Sequence, residues 1–123
     1  MKLHADINPS LNTVTAYGEG YVEINRQRHE GALLLRPEGE VLAWPAPTFE
    51  ALAAEHFAAL LEHGPEVVIL GTGARQRFPH PRLTAVLLQA RVGFEVMASG
   101  AACRTYNILM AEGRRVLAAL LQS

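Results

Sequence analysis

The sequence predicts an α/β fold, a three-layer α/β/α sandwich with a mixed central sheet and a β-rich N-terminal portion. Three observations predict it. Apolar spacing changes from strand-like alternation to a helical period near residue 48. "EVVILGTG" (66–73) is a β-branched run, the mark of a strand buried on both faces. From there, capped helical segments alternate with short apolar ones, the pattern of a sheet covered by helices.

The elements follow in order. In "GYVEINRQRHEGALLL" (20–35), Tyr21 and Val22 lead into Ile24, and Asn25-Arg26 makes a polar turn. Residues 27–30 return before Gly31 opens "ALLLRP". "PEGE" (37–40) is a turn in which Gly39 can take positive φ. "VLAWPAP" is a short apolar strand stopped by Pro45 and Pro47. Thr48 is placed to cap a helix over "FEALAAEHFAALLEHG". Phe49, Leu52, Ala53, Phe57, Leu60 and Leu61 share one face of it, and Gly64-Pro65 close it. After the buried strand comes a polar loop, then a helix over "PRLTAVLLQARVG" with Leu83, Val86, Leu87 and Ala90 inward and Gly93 closing it. "FEVMASG" reads as a strand. "AACRTYNILMAEG" reads as a third helix, with Ser99 as N-cap and Gly113 just past its end. The last segment, "RRVLAALLQS", fits a strand or a short helix equally. The right-handed crossover rule makes the strands at 67–70 and 94–97 parallel if they share a sheet. The early strands are close enough for hairpins, which makes the sheet mixed.

Length and composition fit one domain spanning 1–123. A formal charge of −1 gives no field favouring nucleic acid or an anionic membrane. One cysteine cannot form an internal disulfide, which fits a reducing compartment. "MKLHADINPS" has no signal-like apolar run, and no stretch approaches the roughly 20 apolar residues needed to span a bilayer. The expectation is a soluble cytoplasmic protein without membrane insertion. No metal-ligand spacing, GxSxG or Walker motif is present, so neither metal nor cofactor is expected.

Chemistry in open α/β sheets gathers outside the carboxyl ends of parallel strands. Two loops qualify, "GTGARQRFPHP" (71–81) and "ASGAAC" (98–103). A dinucleotide reading of Gly71-Thr72-Gly73 fails, because Gln76 stands at the third glycine position and the helix begins only near Pro81. The plainer reading is that Gly71 and Gly73 let the chain turn sharply off a buried strand. Arg75, Arg77, His80 and Arg82 can grip a carboxylate, a phosphate or an acidic partner, or can simply be a solvated basic loop. Cys103 falls at or just beyond the first turn of the third helix, where the dipole and Arg104 would lower its pKa. It is the candidate nucleophile or redox group. Of His4, His29, His56, His63 and His80, His80 alone lies in a loop at this end. The competing reading makes Cys103 a small buried hydrophobe. Ala102, Thr105, Tyr106 and Leu109 share a face that can pack on the sheet. Asn107 is unfavourable mid-helix and is expected to hydrogen-bond a neighbouring loop. Glu112 and Arg115 can pair, and Arg114 can reach the last carbonyls of the helix.

The Gly71-Thr72-Gly73 turn, "FEVM" and "AACRTYNILMAEGRRVLAALL" together resemble the Mth-type domain family, small α/β domains of unknown function. The family includes a mitochondrial assembly factor of respiratory complex I and an adipogenesis-associated vertebrate protein. The resemblance runs from about Gly18 to Leu121 and is most specific at Thr105-Tyr106-Asn107, Leu109 and Glu112-Gly113-Arg114. It implies the sandwich fold, no established catalytic residue and an assembly or protein-binding role. Two functions follow. The first is a non-catalytic binding or assembly domain that meets a protein partner at the loop end of the sheet. The second is a domain or enzyme for an anionic small molecule, its pocket between the loops at 71–77 and 99–104. There Gly71, Thr72, Gly73, Arg77 and Ser99 would line the pocket, Arg75 or Arg104 would anchor the anion, and Cys103 would be the nucleophile or redox group.

Overall fold

The computed structural model describes residues 1–3, 10–46 and 48–122; Pro47 and His4, both singled out above, lie outside the described residues. Three short strands come first: β1 (Val14–Gly18), β2 (Tyr21–Ile24) and β3 (Gln27–Glu30). They form an antiparallel sheet in that order. The β2–β3 turn is Asn25-Arg26, both at positive φ (50° and 67°), the two-residue geometry that matches strand twist. An arginine there is strained, and neighbouring side chains hold it. Thr15 Oγ1 accepts from the Arg26 N–H (3.0 Å), and Asn25 Oδ1 accepts from the Thr13 N–H (3.0 Å). The alternation read in the sequence begins only at β2, so β1 is an element the sequence analysis did not isolate.

The second sheet contains β4 (Leu33–Leu35), β5 (Leu42–Ala43), β6 (Val67–Thr72), β7 (Gly93–Met97) and β8 (Val116–Leu121). Its order is β5-β4-β8-β6-β7. β4 runs antiparallel to β5 and β8, whereas β6 is parallel to both β7 and β8. The central sheet is therefore mixed, but only the last two of the five early strands join it. The final apolar segment, ambiguous by periodicity, is the strand β8. It lies between β4 and β6, and all six of its residues are buried, which is why no alternation marked it.

The single helix expected after Thr48 is three pieces: a 3₁₀ turn (Phe49–Ala51), α1 (Ala54–Ala58) and a second 3₁₀ turn (Ala59–His63). Thr48 Oγ1 caps the first, accepting from the Ala51 N–H (3.2 Å). Leu52 and Ala53 are extended, so the helix restarts, with His56 Nδ1 accepting from the Ala53 N–H (2.9 Å). Gly64 ends the segment at φ 65°. Helix α2 spans Pro81–Gln89 and α3 spans Ser99–Ala111. α2 stops earlier than expected. Arg91 takes the left-handed turn (φ 60°), Val92 N–H closes on Leu87 O (2.9 Å), and Gly93 opens β7. Ala90 is consequently exposed, and Val92 is the residue that packs inward. α3 ends in the same motif at Gly113 (φ 78°), as read from the sequence.

The layers follow from which side chains the strands of the second sheet present to each face. On one face Leu34, Val68, Leu70, Leu117, Ala119 and Leu121 pack with Phe57 of α1, Leu60 of the second 3₁₀ turn and Leu87 of α2. On the other, Leu33, Leu35, Ile69, Ala118 and Leu120 pack with Ala102, Cys103, Tyr106 and Met110 of α3 and with Val14, Val22 and Ile24 of the first sheet. One outer layer is thus α1 with α2, and the other is α3 beside the three-stranded sheet. The connection β6–α2–β7 steps outward over one face, and β7–α3–β8 steps back across β6 over the opposite face, as right-handed crossovers require. Among the described residues no helix is long and apolar enough to cross a membrane.

Candidate functional site

Adjacent parallel strands whose exits turn to opposite faces leave a crevice between them, and that is where such folds bind ligands. Here the crevice lies between the ends of β6 and β7, and the two loops picked out from the sequence do meet there. They meet through hydrogen bonds. Ser99 Oγ donates to Leu121 O (2.6 Å) and accepts from the Gly73 N–H (2.8 Å), while the Ser99 N–H donates to Gly73 O (2.8 Å). Ser99 is therefore the first residue of α3 and not its cap; the cap position is Ala98, which has no side-chain acceptor. Its hydroxyl ties together the ends of β6, β8 and α3.

Gly71 lies inside β6, so only Gly73 (φ 88°) makes the sharp turn. The reason for Gly71 is proximity. A Cβ there would stand 2.8 Å from Leu120 Cδ2 and 3.1 Å from Ser99 Cα. Thr72 is fully buried; its hydroxyl donates to Arg75 O (2.7 Å) and accepts from the Arg77 N–H (3.1 Å), folding the loop onto itself. Gln76 Nε2 donates to Val96 O (2.9 Å) on β7, which has a paired neighbour on one side only.

The basic residues of this loop separate. Arg77 is committed internally: it bonds Thr72 O (3.0 Å), pairs with Glu50 (3.2 Å) and stacks on Phe49 (4.6 Å to the ring centroid). His80 caps α2, its Nδ1 accepting from the Arg82 N–H (3.1 Å). Arg75 is exposed. Arg104 is exposed too and donates to the Tyr17 hydroxyl, with the guanidinium 5.8 Å from that ring's centroid. Tyr17 also lies against Gly100, where a Cβ would come within 2.6 Å of its ring.

Cys103 faces the sheet and is 0 % exposed, packed with Ala102, Tyr106 and the β6–β8 side chains. Burial pushes its thiol up to about 12, and Arg104 opposes that only partly. This reverses the lowered pKa expected from the helix dipole. The cysteine lies one turn into α3 on its inner face, whereas the dipole acts at the helix mouth. His80 is exposed and turned to its capping bond on α2, away from pairing with the buried thiol.

The Tyr-Asn pair serves another purpose. Tyr106 OH donates to Asn12 O (2.7 Å). Asn107 accepts from the Val14 N–H with Oδ1 and donates to Val14 O with Nδ2, both at 2.9 Å. The neighbour expected for Asn107 is thus the strand β1, not a loop. The inner face of α3 runs through Ala102, Cys103, Tyr106 and Met110, one step round from the face read in the sequence; Leu109 is only partly buried. Past the helix, the Glu112–Arg115 pair does not form. Arg114 pairs with Glu66 (3.2 Å), Arg115 N–H donates to Glu66 Oε1 (2.8 Å), and the Arg114 N–H reaches Leu109 O. The Arg115 bond and the two arginine charges hold the Glu66 carboxyl below its usual range. Glu66, Tyr17 and Gln76 were missed from sequence because each acts through one distant partner, and no local spacing signals that. Gly100 directly after Ser99 was the one available hint that something packs closely on the start of α3.

The architecture defines a small α/β domain in which a mixed five-stranded sheet is covered by two helices on one face and by one helix and a three-stranded sheet on the other. The chain belongs to the family described as "Protein of unknown function (DUF498/DUF598)", whose pattern spans residues 14–121. A crystal structure of a Bordetella parapertussis protein is 48% identical, superposes with a TM-score of 0.85, and aligns over 93% of this chain and 98% of that one. A solution structure of a Bordetella pertussis protein, a Mth938-like domain, is 42% identical with a TM-score of 0.81, covering 99% and 92% respectively. These findings confirm the family and fold that the sequence suggested. Bovine NADH dehydrogenase (ubiquinone) 1 alpha subcomplex assembly factor 3 is 29% identical over 93% of this chain. The chain spans 62% of that relative's length.

Proposed function

We propose that this chain is a non-catalytic binding domain of the assembly-factor kind, working in the cytoplasm and engaging a protein partner at the loop end of its central sheet. The observation that carries the reading is the likeness to complex I assembly factor 3 over nearly the whole chain. The site supports it in two ways. Ser99 spans the crevice where a substrate would otherwise enter, and the thiol nearest to it is protonated and enclosed. The same end of the molecule presents exposed groups suited to a protein surface: Arg75, Arg104 and Phe78, which is 72 % exposed. Aromatic and arginine side chains are the residue types that anchor protein interfaces. The free cysteine fits a reducing compartment.

The test is complementation. The chain, fused to a mitochondrial leader, is expressed in vertebrate cells lacking assembly factor 3, and complex I is followed on native gels. Recovery of the complex is expected, with clear loss of recovery in a Phe78→Ala, Arg75→Ala double variant. No recovery by a chain that is imported, folded and abundant would overturn the respiratory-assembly reading.

A further inference from the structure

A cleft of about 510 Å³ opens at the end of the second sheet opposite the loops just described. It lies below the last turn of α3, between the segment leaving β4 and the one entering β6. Its floor is apolar, formed by Leu11, Met110, Val116 and Leu117. Its rim is basic: Arg36, His63, Arg114 and Arg115 line it, with Glu38 the carboxylate among the lining residues.

The arginines are not equivalent. Arg114 is held by Glu66. Arg115 donates its Nε–H to Gly64 O (3.3 Å); its charge acts on the Glu66 carboxyl, but its guanidinium makes no direct ion pair among the described residues. Arg36 has none either, and its Nε is shielded from solvent without a hydrogen-bond acceptor among the described residues. A shielded guanidinium N–H with no acceptor is costly and is rarely left so. The negative end of the α3 dipole also faces this cleft, but the N–H groups of Gly113 and Arg114 already cap Met110 O and Leu109 O.

We propose that this cleft binds a small amphiphilic oxyanion, with a carboxylate or phosphate head between Arg36 and Arg115 and an aliphatic tail on the apolar floor. The volume falls within the range of small-molecule sites. The guanidinium fork matches both oxyanions. An inorganic anion would leave the floor bare, and a neutral aliphatic molecule would leave the Arg36 and Arg115 guanidinium groups without a counter-charge. The location, at the amino ends of the parallel strands, departs from the rule for open sheets. It does so in a molecule whose crevice at the carboxyl ends is bridged by the Ser99–Gly73 hydrogen bonds.

The experiment titrates the full chain with octanoate and octyl phosphate, followed by amide shifts in ¹H–¹⁵N NMR, with octanol and inorganic phosphate as controls. Saturable shifts are expected at Gly64, Gly113 and Leu117 with at least one of the two amphiphiles, and the tighter one identifies the head group. Affinity should fall at least tenfold in the Arg36→Gln, Arg115→Gln variant. The proposal is overturned if octanol binds as tightly as the anions, if inorganic phosphate matches octyl phosphate, if the shifts cluster elsewhere, or if neither anion saturates. Should the double variant fold poorly, the two controls on the unaltered chain decide the question alone.

Discussion

Asn107 stands mid-helix, where its propensity counts against it, because its amide closes both backbone bonds of Val14. Replacing it with alanine removes two hydrogen bonds and leaves a buried strand unpaired at that point. At about 1 kcal/mol per bond, Asn107→Ala should cost roughly 2 kcal/mol in urea unfolding. The Val14 amide should also exchange faster, while amides of β6 stay protected. Cys103 makes a pH prediction. Its thiol ionises near 9.0 in the unfolded chain and near 12 in the folded one. Above pH 9 the unfolded state therefore binds fewer protons, so stability is intact below 9 and falls as pH rises toward 12. Tyr106, whose burial raises its hydroxyl above the usual 10.0, acts in the same direction. Urea midpoints measured across that range should decline. Iodoacetamide at pH 8 should modify Cys103 only once denaturant is added; rapid labelling of the native chain would contradict the enclosed thiol.

The junction of β6, β8 and α3 depends on one hydroxyl and one missing side chain. Ser99→Ala loses the bonds to Gly73 and Leu121 and should cost about 2 kcal/mol by urea unfolding. Gly71→Ala forces a methyl against Leu120 and the Ser99 backbone and should cost about 1–3 kcal/mol, the range for overpacking. If either variant unfolded at the same urea concentration as the parent chain, this junction would not be a source of stability. The same elements show what could be read beforehand. The turn at Gly39, the caps at Thr48 and Gly64, the run at 66–73 and the Gly113 stop were legible because each rests on local backbone chemistry. So was the meeting of the loops at Gly73 and Ser99, which follows from parallel neighbouring strands. The break after Ala51 was not legible, because it arises where Leu52 leaves helical geometry to reach the core. Nor was the early end of α2, where an arginine takes a conformation usually left to glycine. The separation of β1–β3 from the central sheet was hidden too. It is held by Tyr106 and Asn107, which bond Asn12 and Val14 more than 90 positions away in the chain. The basic rim of the cleft drew on Arg36 and Arg115, which lie far apart in sequence and share no motif.

Across the whole molecule, β6 and β8 contribute side chains to both cores, so unfolding of the central sheet removes the packing of both faces together. A single cooperative transition is expected. Trp44 fluorescence, which reports the face of α1 and α2, should coincide with exchange of the Val14 amide on the other face. Two separated midpoints would show the faces to be independent. The placement of β8 between β4 and β6 also sets an order of events during synthesis. β4 and β6, its two neighbours, leave the ribosome well before it does, and each has an unpaired inner edge until it arrives. A growing chain in that state is prone to pair wrongly or to aggregate. The nascent protein thus passes through an interval, ended only by the emergence of residues 116–121, in which it is a natural client for a holding chaperone.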